Sequence, residues 1–270
     1  MRRYTAAAIQ MRSGSDRAAN LARAEALVRD AAARGARLVV LPEVFAWRGP
    51  AAGEAAIAEP VPGPTTARLG ALARELGLWL VAGSLHERAD GEPRVFNTSC
   101  LIDPRGEIVA RYRKLHLFDV DLPGRVVIQE SATRAPGTEV VTEATELGTL
   151  GLSICYDLRF PELYRRLSLA GAEVLLVPSA FTFPTGAAHW EVLLRARAVE
   201  NQCYVVAANQ AGASPQGVAD WGDSMIVDPW GRVLARAGDG EAVVSAEIDL
   251  DYVARVRREL PALAHARLGR

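Results

Sequence analysis

Residues 35–45 read GARLVVLPEVF, and residues 171–181 read GAEVLLVPSAF. The two align without a gap, 136 residues apart, in a chain of 270. RLVVL (37–41) is a continuous apolar run, the signature of a strand buried on both faces. A second pair follows in the same order. SCLIDPRGEIVAR (99–111) matches SMIVDPWGRVLAR (224–236), and LWLVAG (78–83) falls on CYVVAA (203–208), both 125 residues apart. Each spacing is close to half the chain. The repeat therefore predicts two α-β units related by a pseudo-twofold, closing into two sheets faced by helices.

Working outward, residues 15–34 carry leucine and alanine at helical spacing, with Ser15 or Asp16 as the cap. Pro64 opens a second helix that runs to about Glu75. LWLVAGS (78–84) reads as a strand. Residues 95–102 and 107–112 form a hairpin-like pair around the turn tetrad Asp103-Pro104-Arg105-Gly106. No low-complexity linker separates the halves, so residues 1–270 are expected to form one domain.

Charge narrows the partners. The chain has 31 basic and 32 acidic residues, a net charge of −1, with no basic stripe for nucleic acid. No apolar run approaches membrane-spanning length. The apolar piece in MRRYTAAAIQMRSG is broken by Gln10 and Arg12 too early for a signal peptide and reads as a first strand. Three widely spaced cysteines, Cys100, Cys155 and Cys203, fit free thiols in a reducing compartment, hence a cytoplasmic location. Four histidines without close pairing argue against a structural zinc site.

The two halves differ where chemistry can sit. Glu43 follows the first apolar strand, and its aligned partner is Ser179, so the shared architecture does not demand the carboxylate. Lys114 in RYRKLHLFD and Cys155 in LSICYD also stand where a strand meets charge. A thiol is mostly protonated at neutral pH, and it attacks when a base or cation favours the thiolate. Glu43 can supply the base, and Lys114 the cation that then holds an oxyanion. His116 is the sole histidine near Lys114 in sequence, and a Cys-His dyad is disfavoured. Cys100 and Cys203 lie in apolar strands and read as core.

GLSICYDLRFPELYR (151–165), TGAAHWEVLLRARAVENQCYVVAANQAG (185–212), KLHLFDVDLPG and SMIVDPWG together make the chain recognisable. It resembles the nitrilase superfamily of carbon–nitrogen hydrolases along essentially its whole length. Within that superfamily it looks like the branch that hydrolyses deaminated glutathione, an ω-amide of a 2-oxo acid. The resemblance implies a four-layer αββα sandwich, a homodimer or higher oligomer, a small-molecule amide substrate, and neither metal nor organic cofactor. It places the catalytic set on Glu43, Lys114 and Cys155, with a second glutamate at Glu130 that orients Lys114 or the amide. Lys114 and the backbone N–H of Tyr156 are expected to hold the oxyanion. It also implies a role in metabolite repair.

For substrate contacts, Arg159 can grip a carboxylate, with an ion pair to Glu162 or Asp157 as the competing reading. Phe181, Thr182 and Thr185 follow the strand that matches LPEVF, with His189 and Trp190 on a helix beside them. Asp157 reads as a local cap or ion-pair partner. The stretch RGPAAGEAAIAEPVPG (48–63) is poor in large side chains and leaves the pocket edge open. Other amidases of the superfamily remain alternatives: an ω-amidase for 2-oxoglutaramate, an N-carbamoyl amino-acid hydrolase or an aliphatic amidase. A catalytically idle scaffold is the alternative outside enzymes, and the intact Glu-Lys-Cys set argues against it.

Overall fold

The computed structural model describes residues 2–124, 126–215 and 217–267. The first half runs β1 (Arg3–Gln10), α1 (Arg17–Ala33), β2 (Ala36–Val40), α2 (Pro64–Leu76), β3 (Trp79–Val81), β4 (Val95–Ile102) and β5 (Ile108–Arg113). The second runs β6 (Gly148–Leu152), α3 (Pro161–Leu169), β7 (Val174–Ser179), α4 (Phe183–Asn201), β8 (Tyr204–Asn209), β9 (Met225–Val227) and β10 (Val233–Arg236). The chain then closes with β11 (Ala242–Asp249) and α5 (Leu250–Glu259).

The pseudo-twofold is visible in the pairing. In one sheet β1, β2 and β3 are parallel neighbours, and β4 returns antiparallel against β3 with β5 beside it. In the other, β6, β7 and β8 are parallel, with β9 antiparallel to β8 and β10 beside it. β11 crosses over to pair with β1 from Arg3↔Asp249 to Gln10↔Ala242, tying the C-terminal part of the chain to the first sheet. The turn tetrads are twins. Asp103 accepts from the N–H of Arg105 and Glu107, and Asp228 from that of Trp230 and Arg232. Gly106 and Gly231 take φ +84° and +82°, which L-residues with a Cβ disfavour.

Alternation along the strands sorts side chains into layers. Ala6, Ala8, Leu38 and Val40 join the core between the sheets, while Ala7, Ile9, Val39 and Leu41 pack on α1 and α2. β1 meets β8 across the sheets. Both faces of these strands are dry, which is why RLVVL shows no polar alternation. Each buried valine or leucine contributes about 1.5–3 kcal/mol. On the far side, Leu163, Leu167, Trp190 and Leu194 cover the second sheet. The layers are thus helix, sheet, sheet, helix, as the repeat implied.

Local expectations hold with small shifts. Asp16 caps α1 by accepting from the N–H of Ala19, and α2 starts at Pro64. The third predicted strand is shorter than LWLVAGS, because Gly83 (φ +47°) turns the chain against Pro42. A Cβ on Gly83 would lie 2.0 Å from the Pro42 carbonyl oxygen, so only glycine permits this approach beside Glu43.

Candidate active site

Glu43, Lys114 and Cys155 each stand just past a strand end, at β2, β5 and β6. The loop carrying Glu43 is fixed from the second half. Glu43 N–H donates to the Ser179 carbonyl at 3.3 Å, and the Gln210 side chain donates to the Glu43 carbonyl at 3.0 Å. The pseudo-equivalent residues Glu43 and Ser179 therefore touch across the axis. Ser84 Oγ accepts from the N–H of Val44, which takes φ +47°. The Glu43 carboxylate accepts from Lys114 Nζ (3.0 Å), Asn97 Nδ2 (2.7 Å) and Ala180 N–H (2.8 Å).

Lys114 is 1% exposed, a position a lone ammonium would not tolerate. Its second partner is Glu130, at 2.9 and 3.2 Å. Glu130 lies in a short turn, Glu130–Ala132, after the hairpin Asp119–Leu122/Val126–Gln129, and Phe118 N–H donates to it at 2.9 Å. The chain of charges continues through Arg134, which donates to Glu130 (2.6 Å) and to Glu54 (2.7 and 3.1 Å). Thr133 Oγ1 also donates to Glu54 at 2.9 Å. Glu54 comes from the stretch 48–63 that looked bland in sequence. The composition hid a buried carboxylate and, at its start, a buried arginine, Arg48. Neither residue carries a local pattern that marks it.

Burial pushes Glu43 up, but Lys114 and then Arg134 outweigh it and hold the carboxyl down to about 2. Burial opposes charge on Lys114 too, yet Glu130 and Glu43 keep its pKa above the ordinary value. The Cys155 thiol is pushed well up by burial and by the neighbouring Glu43, against the pull of Lys114. At rest the site therefore holds a neutral thiol within hydrogen-bonding reach of an ionised carboxylate.

Cys155 takes φ +46°, a strained conformation for a residue with a Cβ, as it opens the short turn Cys155–Arg159. The Tyr156 N–H, next along this turn, donates to no group among the described residues. Asp157, fully buried, fastens the turn. It accepts from Ile154 N–H (2.9 Å), Tyr112 Oη (2.6 Å), His116 N–H (3.1 Å) and the His116 ring (2.7 Å). One carboxylate thus ties the nucleophile's turn to both flanks of Lys114. His116 lies flat on Phe160, its centroid 3.6 Å away, and is occupied with Asp157. Asp157→Asn is expected to loosen this spacing. kcat should fall about ten- to hundredfold while KM moves little, measured by steady-state kinetics on protein shown to be folded.

Arg159 pairs with no carboxylate among the described residues, so neither Glu162 nor Asp157 takes it. Its guanidinium meets His189 Nδ1 at 3.1 Å and lies over the rings of Phe181 and Tyr156. Arg159, Tyr156 and Phe181 line a small recess beside Cys155 together with Thr182 and Thr185, whose hydroxyls are 2.8 Å apart; His189 touches Arg159 but does not line the recess. Trp190 is fully buried and belongs to the core. Cys155 also borders a cavity of about 410 Å³ whose lining includes Glu43, Lys114, Glu130, Arg134, Arg48 and Asp220. Cys100 and Cys203 are buried free thiols away from both.

An αββα sandwich with a buried cysteine at a strand end, facing a carboxylate and an ammonium, defines a class of hydrolase that attacks carbon–nitrogen bonds. The chain matches the carbon–nitrogen hydrolase family model over residues 5–258 and belongs to that family, within the nitrilase superfamily. It is 46% identical to the human deaminated glutathione amidase, over 97% of this chain and 81% of that one. It is 41% identical to the human omega-amidase NIT2, over 99% and 96%. The crystal structure of the C. elegans NitFhit protein superposes with a TM-score of 0.91 at 42% identity; the match covers 98% of this chain and 65% of that one. The protein is accordingly an amidase, a hydrolase acting on linear amides. Among the described residues no helix is long and apolar enough to cross a membrane.

Proposed function

We propose that the protein hydrolyses the ω-amide of a small 2-oxo dicarboxylic acid, with deaminated glutathione as substrate, giving 2-oxoglutarate and cysteinylglycine. The observation that carries this reading is Arg159, a guanidinium without a carboxylate partner among the described residues, in the recess beside Cys155. The 46% identity to the human deaminated glutathione amidase supports the choice of substrate.

In this mechanism the carboxylate of the acyl part binds Arg159, with Thr182 and Thr185 donating hydroxyls and Phe181 packing on the chain. Glu43 takes the thiol proton as Cys155 Sγ attacks the amide carbon. The oxyanion forms against Lys114 Nζ and the Tyr156 N–H. As Lys114 turns its charge toward that oxyanion, its hold on Glu43 weakens, and the carboxylate becomes basic enough to keep the proton. Glu43 then gives the proton to the departing amine, leaving a thioester. Water, losing a proton to Glu43, opens the thioester, and the thiol is restored. Glu130 holds Lys114 in place throughout, with Arg134 and Glu54 behind it.

The test compares deaminated glutathione, 2-oxoglutaramate, N-carbamoyl-β-alanine and a simple aliphatic amide as substrates of purified protein, following 2-oxoglutarate release for the first two. Deaminated glutathione should have the highest kcat/KM. Arg159→Gln should raise KM for it roughly ten- to hundredfold, with a much smaller effect on the aliphatic amide. A preference for 2-oxoglutaramate would make the protein an ω-amidase for primary amides instead. Metabolite repair in the cytoplasm is the role consistent with this reaction. A homodimer is also part of the proposal. Phe183, Val192 and Val199 are exposed large apolar residues on α4, the helix that also carries Thr185, and a second copy would cover them.

A further inference from the structure

The larger cavity bordering Cys155 has a polar feature that the reaction as written leaves idle. Asp220 is 4% exposed and lines that cavity. Its Oδ2 accepts from Arg48 Nη1, while its Oδ1 is buried without a hydrogen-bond partner. A buried carboxylate oxygen left unpaired is costly, and native structures seldom keep one without a use. The carboxylate is also firmly placed. Asp220 pairs with Gly212 in a short antiparallel ladder and bridges Thr182 on its other side. The N–H groups of Phe183 and Trp221 donate to Ala219 and Phe181, locking the same crossing (2.7 and 2.8 Å). Thr182 lines both the recess and the cavity, so Asp220 is held in fixed register to the acyl side of the site.

The charges around it restrict what can bind. Four carboxylates (Glu43, Glu54, Glu130, Asp220) and three cations (Arg48, Lys114, Arg134) line the cavity. Lys114 and Arg134 are each held between two carboxylates, and Arg48 is paired with Asp220. Among the oxygens of these four carboxylates, Asp220 Oδ1 is the one without a hydrogen-bond partner. About 410 Å³ is also far more room than departing ammonia needs.

We propose that Asp220 Oδ1 is the anchor of a leaving-group subsite that accepts an N–H donor from a peptide-like amine, so that the enzyme favours N-substituted over primary amides. For a cysteinylglycine leaving group the donor is its peptide N–H. This deepens the proposed function and rests on it. Asp220 acts here as a specificity-determining contact, apart from the proton transfers at Glu43.

The test uses three substrates with one 2-oxoglutaryl acyl group: the cysteinylglycine amide, an N-propyl amide of the same acid, and 2-oxoglutaramate. In Asp220→Asn, Arg48 demands the carboxamide oxygen, so the amide NH2 faces the cavity and the acceptor becomes a donor. The wild type should prefer the cysteinylglycine amide over the N-propyl amide. In the variant, kcat/KM for the cysteinylglycine amide should fall roughly ten- to hundredfold further than for 2-oxoglutaramate. Arg48→Met/Asp220→Leu, which removes the buried pair together, should also lose that preference and guards against a fold defect in the single variant. Parallel loss on all three substrates, or an unchanged ratio, would overturn the subsite while leaving the substrate assignment standing. A wild type that cleaves 2-oxoglutaramate but not the cysteinylglycine amide would instead overturn the substrate assignment, and the subsite with it.

Discussion

Cys155→Ala should hydrolyse no amide above background, a loss of at least about ten-thousandfold in kcat. The fold should be almost untouched. The change removes one sulfur atom, and alanine at φ +46° carries the same backbone strain as cysteine. Circular dichroism and thermal melting should therefore match the wild type within a few degrees. Mass spectrometry of wild type quenched during turnover should show an acyl adduct on the peptide containing residue 155, and the variant should show none. Residual turnover above about one hundredth of wild type would place the nucleophile elsewhere. Cys100 and Cys203 offer no substitute, because both are buried in the core without access to the cavity.

Lys114→Met is the second large effect, and it strikes stability as well as rate. It leaves Glu43 and Glu130 buried with no ammonium between them, which costs about 3–5 kcal/mol. Loss of the oxyanion contact should lower kcat by roughly a thousandfold or more. The sign of the pH dependence should also reverse. In the wild type Glu43 is held down to about 2, against 4.5 for an ordinary glutamate. Its stabilisation is therefore present above about 4.5 and is lost as pH falls toward 2. In the variant Arg134 is the one cation left to oppose burial, the largest single influence on Glu43, and the carboxyl rises above its unfolded value. Stability is then present at low pH and is lost as pH rises through the raised value. Chemical denaturation between pH 4 and 8 should show the variant gaining stability on acidification, relative to wild type. A parallel pair of curves would mean that Lys114 does not govern these carboxylates.

The sheets were legible because their information is local. A continuous apolar run and a Pro-Gly turn tetrad each occupy a few residues, the repeated segments are 6 to 13 residues long, and the twin turns at Asp103 and Asp228 obey the same chemistry. Glu43, Lys114 and Cys155 were marked by their place at strand ends. Glu54, Asn97, Arg134 and Asp220 were not. Each is a common residue in an unremarkable stretch, and its role exists only because distant loops converge. Glu54 meets Arg134 across 80 positions, and Asp220 meets Arg48 across 172. The helix at Phe183–Asn201 carries no clean apolar stripe, since one side covers the core through Trp190 and Leu194 while Val192 and Val199 stay exposed.

The division of the site between the two halves has a consequence for how the enzyme comes into being. Glu43, Glu54, Lys114, Glu130 and Arg134 leave the ribosome before Cys155 does. Two of the groups that fix Glu43, the Ala180 N–H and the Gln210 side chain, come later still. A nascent chain therefore carries an ordinary thiol with no base in position, and a chain that stops early never acquires one. Reactivity arrives as the last act of maturation, when the second half closes on the first. A half-made copy is inert toward the cell's other amides and esters.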